Sequence, residues 1–229
     1  MNVKSYNVPH ELKNDKSFPF WFSMLSESNV LIDFTKINNV LDFGSGNGKF
    51  LKLFDFYFPN RNLIGAEIDN KLIEESNLSK CININYLNSE KLNDIDECFF
   101  ELIYSQEVIY TLPDLFQHAS EIFKLLKFGG HYMFSVGCHV DNPTWSYRIQ
   151  NVLKTEKYHA NNYSLEEIAK SFFDVGFRVS LKKLPVYYPL KYIPNETGEF
   201  KNINDLIESS ENFKYLFILL KPSRVDNNE

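Results

Sequence analysis

The sequence predicts an α/β protein with a largely parallel sheet at its centre. Two observations point there. Short apolar runs alternate with segments of helical period along most of the chain, as strands joined by crossover helices do. A glycine-rich turn, GSGNG at 44–48, then joins the first such run to the first such helix. The length agrees, because 229 residues at 44% hydrophobic content supply one well-filled domain.

Each element follows from its own residues. NVLDF at 39–43 reads as the first strand. Residues 49–58 form a helix with Phe50, Leu51, Phe54 and Phe58 on one side, ended by Pro59 and Asn60. Residues 62–67 are the second strand, 69–78 a helix, 82–87 the third strand and 99–105 the fourth. Between 114 and 127, Leu115, Ala119, Ile122, Phe123 and Leu126 recur at helical spacing. Gly129 and Gly130 end that helix, and 131–136 is the fifth strand. Ser164 and Glu167 make a capping box for a helix that stops at Gly176. Residues 177–184 and 215–220 are the last two strands, separated by a Pro- and Tyr-containing excursion.

Two segments break the rhythm. Residues 1–35 are expected to form a helical, aromatic cap, with Phe18, Phe20, Trp21 and Phe22 in one cluster. Residues 137–163 read as a long irregular loop carrying Trp145, Tyr147, Arg148 and Tyr158. Loops of that length are usually functional or disordered; its aromatics argue against disorder, and it is expected to be a lid within a sheet domain spanning 36–229.

Composition narrows the function. Thirty acids against 24 bases give a net charge of −6. That disfavours a sequence-independent nucleic-acid binder, which needs a basic face, and a polybasic membrane-surface protein. The N-terminal residues contain no apolar stretch of signal-peptide type, and no run approaches the roughly 20 apolar residues of a spanning helix. Three cysteines, Cys81, Cys98 and Cys138, without a CxxC pair, read as reduced thiols in a cytoplasmic protein with no zinc site.

The glycine turn carries the chemistry. Such a turn lets backbone approach a ligand and aims helix N–H groups at it. The spacing is G-x-G-x-G, with Lys49 where the dinucleotide fingerprint departs from it. Glu67, 19 residues past Gly48, ends the next strand, where a carboxylate can accept both ribose hydroxyls. Asp42 precedes the turn and would repel a phosphate but suit a cation. The ligand expected is a nucleoside that carries positive charge.

These residues resemble the class I S-adenosylmethionine-dependent methyltransferases. VLDFGSGNG (40–48) is similar to the first motif of that family, LIGAEIDN (63–70) to the second and YLNSEKL (86–92) to the third. FELIYSQEVIYTLPD (100–114), EIFKLLKFGGHYMFSV (121–136), YSLEEIAKSFFDVGF (163–177) and KYLFILLKP (214–222) follow in the family's order. Two positions depart: Asn88 stands at the usual Asp and Phe128 at the usual Pro. The resemblance implies a Rossmann-like, seven-stranded sheet of order 3-2-1-4-5-7-6 with the last strand antiparallel. It also implies S-adenosylmethionine as cofactor and no metal.

Roles follow from the resemblance. Asp42, Gly44, Ser45, Gly46 and Gly48 would hold the methionine end, Glu67 the ribose, Ile68 and Asn88 the adenine, with Ser105 near the sulfonium. Candidate bases are His139, expected to face the cofactor pocket, then Glu107, Tyr110 and His159. Trp21, Gln106, Trp145 and Arg148 are the candidate substrate contacts. The expected acceptor is a small polar metabolite or sugar-type molecule, methylated on oxygen, with nucleic acid disfavoured because the NPPY-type motif is absent. A non-catalytic partner subunit, a methyltransferase of protein or RNA, and a nicotinamide-dependent oxidoreductase are the alternatives.

Overall fold

The computed structural model describes residues 7–78, 83–155, 159–193 and 200–223. Cys81, Ile82, Tyr158 and Arg224 lie outside these. The strands are β1 (Asn39–Phe43), β2 (Asn62–Glu67), β3 (Ile84–Asn88), β4 (Phe100–Gln106), β5 (Leu126–Val136), β6 (Arg178–Lys183) and β7 (Tyr215–Leu220). They form one sheet in the order β3-β2-β1-β4-β5-β7-β6. β1 to β5 are parallel neighbours, and β7 runs antiparallel to both β5 and β6. This is the expected topology.

The helices are α1 (His10–Lys13), α2 (Phe18–Leu31), α3 (Lys49–Tyr57), α4 (Asn70–Leu78), α5 (Leu115–Leu125), α6 (Trp145–Thr155), α7 (Leu165–Val175) and α8 (Ile203–Ile207). Side chains alternate across each strand, so the sheet has two buried faces. Val40, Leu63, Leu102 and Met133 pack with Phe18, Met24 and Leu25 of α2 and Phe50 and Phe54 of α3. Leu41, Ile64, Ile103 and Phe134 pack with Leu115, Ala119 and Ile122 of α5 and Ile168 and Phe172 of α7.

The segment expected as a cap is therefore also core. Phe18, Met24 and Leu25 are fully buried. The strap after β6 clamps it: Phe18 meets Tyr188 edge-on at 4.8 Å, and Tyr187 N donates to Ser23 Oγ at 3.2 Å. Lys182 Nζ reaches Glu27 Oε2 at 2.6 Å.

Two boundaries differ from expectation. Residues 137–163 contain a regular helix, α6, where an irregular loop was expected. Asn142 Oδ1 accepts from Thr144 N and Thr144 Oγ1 just before it. Trp145, Ile149 and Val152 then recur at helical spacing against Tyr110, Cys138 and Ala160. β5 also begins at Leu126, five residues before the expected start. The register shifts between Phe100 and Leu102, and the glycine pair lies within the strand because Gly129 N and Lys221 O, and Lys221 N and Gly130 O, pair at 2.8 and 3.0 Å.

Candidate active site

The carboxyl ends of parallel strands are where open α/β sheets bind ligands. At the end of β1 the chain turns through Gly44, Gly46 and Gly48, all at positive φ. A side chain at Gly44 would strike Val108, and one at Gly48 would strike Tyr86. At Gly46, by contrast, a Cβ would meet nothing within 4 Å. The backbone there borders open space. The hydroxyl of Ser45 beside it is buried without a partner among the described residues.

Two carboxyl groups face this turn. Both oxygens of Glu67 accept backbone N–H groups, from Gly46 at 2.8 Å and from Ile68 and Asp69 at 2.7 and 3.1 Å. Each carboxylate oxygen can accept twice, so Oε2 keeps capacity for a hydroxyl. Asp42 is buried, and its pKa lies well above the usual carboxylate range through burial and then the charge of Glu67. Ile68, beside Glu67, is 56% exposed, an apolar face open to solvent. Asn88, half-buried, caps the turn after β3: its Oδ1 accepts from Glu90 N and its Nδ2 donates to Asn70 Oδ1, each at 3.0 Å.

Across β4 the surroundings change sign. Ser105 is buried at the strand's end, paired with Phe43 on one side and Phe134 on the other. Gln106 and Glu107 then open onto a cavity of about 470 Å³. Phe20 and Trp21 of α2, Tyr147 and Arg148 of α6, Ser135 of β5 and Lys214 before β7 line it. Glu107 holds φ at +54°, a conformation that a non-glycine residue keeps only where its surroundings impose it. Its Oε1 accepts from Lys214 Nζ at 2.5 Å and its Oε2 from Gly137 N at 3.1 Å. Burial opposes its ionisation, but Lys214, Arg148 and the Gly137 N–H outweigh it and hold its pKa below the ordinary value.

Three expected site residues lie elsewhere. His139 is fully buried, with Nε2 2.8 Å from the Phe213 carbonyl oxygen, and does not line the cavity. Tyr110 is buried edge-on against Trp145 at 5.4 Å. Trp145 is itself core, its Nε1 donating to Asn162 Oδ1 at 2.9 Å, because α6 turns its apolar side inward. Trp21, Gln106 and Arg148 do reach the cavity. His159 is exposed.

A family described as methyltransferase domain matches residues 15–181. The chain belongs to the methyltransferase domain family. Solved structures agree on the fold of this methyltransferase. A chain from the complex of the Haloferax volcanii Trm112 methyltransferase activator with a methyltransferase superposes with a TM-score of 0.70 at 16% identity, over 93% of this chain and 94% of that one. An S-adenosylmethionine-dependent methyltransferase from Mesorhizobium loti gives 0.64 at 14%, over 91% and 98%. Geranyl diphosphate C-methyltransferase from Streptomyces coelicolor, in complex with Mg²⁺, geranyl diphosphate and S-adenosyl-L-homocysteine, gives 0.62 at 16%, over 96% and 90%. No curated protein sequence matches the chain.

The residues of the methyltransferase fit the family's cofactor, S-adenosylmethionine. A buried acid at Asp42 suits a cation, Gly46 borders open space, and Ser45 keeps an unused hydroxyl. Sequence reasoning missed Lys16, Phe200, Lys201, Ser209, Ser210 and Lys214, all of which line the cavity. One signal for Lys214 was available. An antiparallel strand starts where its parallel neighbours end, so the residue before β7 falls at the ligand edge.

Proposed function

We propose that this chain transfers a methyl group from S-adenosylmethionine to a small polar metabolite, on oxygen. The observation that carries the reading is a cavity of about 470 Å³ beside an acidic glycine turn, separated from it by the end of β4. Volumes of roughly 300–1,000 Å³ are those of small-molecule sites.

When bound, the cofactor supplies a methyl group already activated on a sulfonium ion. Asp42 and the backbone of Gly44, Ser45, Gly46 and Gly48 hold its cationic end. Glu67 takes the ribose through Oε2, Ile68 covers the adenine face and Asn88 borders its edge. Ser105 lies between this pocket and the acceptor. Trp21, Gln106 and Arg148 orient the acceptor, and alignment is most of what such a transfer requires.

Glu107 is the one candidate base that faces the cavity. Its lowered pKa and its ion pair with Lys214 make it a positioning residue and a weak proton acceptor. The acceptor oxygen is therefore one that ionises readily without help.

Calorimetric titration with S-adenosylmethionine and S-adenosylhomocysteine tests the reading. Binding of both in the micromolar range, with S-adenosylhomocysteine released in a metabolite screen, is expected. No binding of either would overturn it. A macromolecular acceptor is the second reading, favoured by the likeness to a chain of the Trm112 complex. The same assay with protein and RNA fractions in place of metabolites would show it.

A further inference from the structure

We propose that the methyl acceptor is a small anion whose carboxylate or phosphate is held by the cationic wall of the cavity. This rests on the cavity being the acceptor site of a methyltransferase. The chain as a whole is acidic, at −6. The described lining is the reverse: Lys16, Arg148, Lys191, Lys201 and Lys214 face one carboxylate, Glu107. Average composition does not produce that ratio, since acids outnumber bases 30 to 24 in the sequence.

Depth adds to the charge. Arg148 and Lys214 are both buried, where a charge interacts more strongly than at the surface. Each sits over an aromatic ring, Arg148 Cζ at 4.8 Å from the Phe200 centroid and Lys214 Nζ at 4.2 Å from that of Phe20. Ring faces favour the cations without neutralising them. Lys191 and Lys201 extend the positive field toward the rim: Lys191 Nζ donates to Asn14 Oδ1 at 3.3 Å, and Lys201 Nζ lies 5.0 Å from the Tyr147 ring. Ser209 and Ser210 line the same wall, and both are buried.

The acidic turn strengthens the argument. Asp42 and Glu67 lie at the ends of β1 and β2, whereas the cationic lining comes from Lys16, Arg148 of α6, Lys191, Lys201 and Lys214 just before β7. Neighbouring strands are about 4.8 Å apart, and three such steps separate β1 from β7, which Lys214 precedes. A cationic donor and an anionic acceptor are thereby sorted to opposite sides of β4, and neither can take the other's place. Such sorting supplies specificity by repulsion as well as attraction.

The test is calorimetry on the complex with S-adenosylhomocysteine. The probes are inorganic phosphate, pyrophosphate, succinate and benzoate, with benzyl alcohol as the uncharged counterpart of benzoate. Benzoate binding at least tenfold tighter than benzyl alcohol, and weakening as salt is raised, is the expected result. The ranking of phosphates against carboxylates then identifies which anion the wall was built for. Lys214→Met should weaken the preferred anion at least tenfold. Because Lys214 is buried, Lys201→Gln is the companion variant: it should weaken the same anion about threefold, with S-adenosylhomocysteine affinity held within twofold. Equal affinity for charged and uncharged probes, or no effect of Lys201→Gln, would overturn the proposal while leaving the methyltransferase reading intact. Failure of S-adenosylhomocysteine itself to bind would overturn that reading, and the proposal with it.

Discussion

Asp42 is a buried acid whose ionisation is opposed by its surroundings. Burial and the neighbouring charge of Glu67 raise its pKa, so keeping or losing its proton at pH 7 costs folding free energy. A cationic ligand would relieve that cost. Asp42→Asn should therefore raise the melting temperature of the ligand-free protein, by about 2–4 °C for each kcal/mol relieved. It should also weaken S-adenosylmethionine at least tenfold. Paired thermal melts and titrations check both signs, and a variant that melts lower would refute the account. At this scale the glycine turn and its two acids were legible. Asp42, the three glycines and Glu67 are contiguous in two motifs, and their chemistry follows from residue type and spacing. Trp145 lies in the core because α6, within a segment that reads as a loop, turns it inward; His139, before that helix, and Tyr110, after β4, are buried by contacts made only in the fold.

The β5 boundary shows how elements are joined here. Lys221, just past β7, is buried, and its Nζ donates to the carbonyls of Phe123 and Leu126 at 2.6 and 2.8 Å. These carbonyls belong to the end of α5 and the start of β5, groups a helix cannot satisfy internally. The ammonium also sits 4.6 Å from the rings of both Phe123 and Phe128. Phe128, where the related family has Pro, thus forms part of a cation-binding corner. Lys221→Met should remove two hydrogen bonds from buried carbonyls and cost about 1–3 kcal/mol, read as a lower urea midpoint with unchanged slope. The capping box at Ser164 and Glu167 is present as the sequence predicts, each partner bonding the other's backbone, because its signal is local. The Lys221 corner joins residues about 100 apart in sequence, so no local pattern announced it.

For the whole molecule, the strand order followed from motif order, whereas the cavity drew on α2, α6, α8 and the residue before β7. Its lining is scattered from Lys16 to Lys214, and only the fold gathers it. Stability of the molecule should also respond to acid through one core residue. His118 is buried between Phe43 and Phe172, 3.1 Å from the Tyr132 hydroxyl, and burial lowers its pKa to about 3. In the unfolded chain that value is about 6.5. Below pH ~6.5 only the unfolded state takes up the proton, so this contribution is complete above 6.5 and is lost as pH falls toward 3. Relative to His118→Phe, the wild type should lose up to about 1.4 kcal/mol of stability per pH unit across that window. Urea titrations of both proteins at pH 7, 6, 5 and 4 measure the difference, and parallel curves would refute it.

The clamp between α2 and the strap after β6 has a consequence for synthesis. Ser23 and Tyr187 are 164 residues apart in the chain. At about 5–20 residues per second, the ribosome needs roughly 8–30 s to travel between them. Over that interval Phe18, Phe22 and Ser23 have been synthesised while Tyr187 and Tyr188 do not yet exist. Helix α2 is thus made long before the strap that closes over it. An apolar helix waits in the nascent chain for the strap that will hold it down.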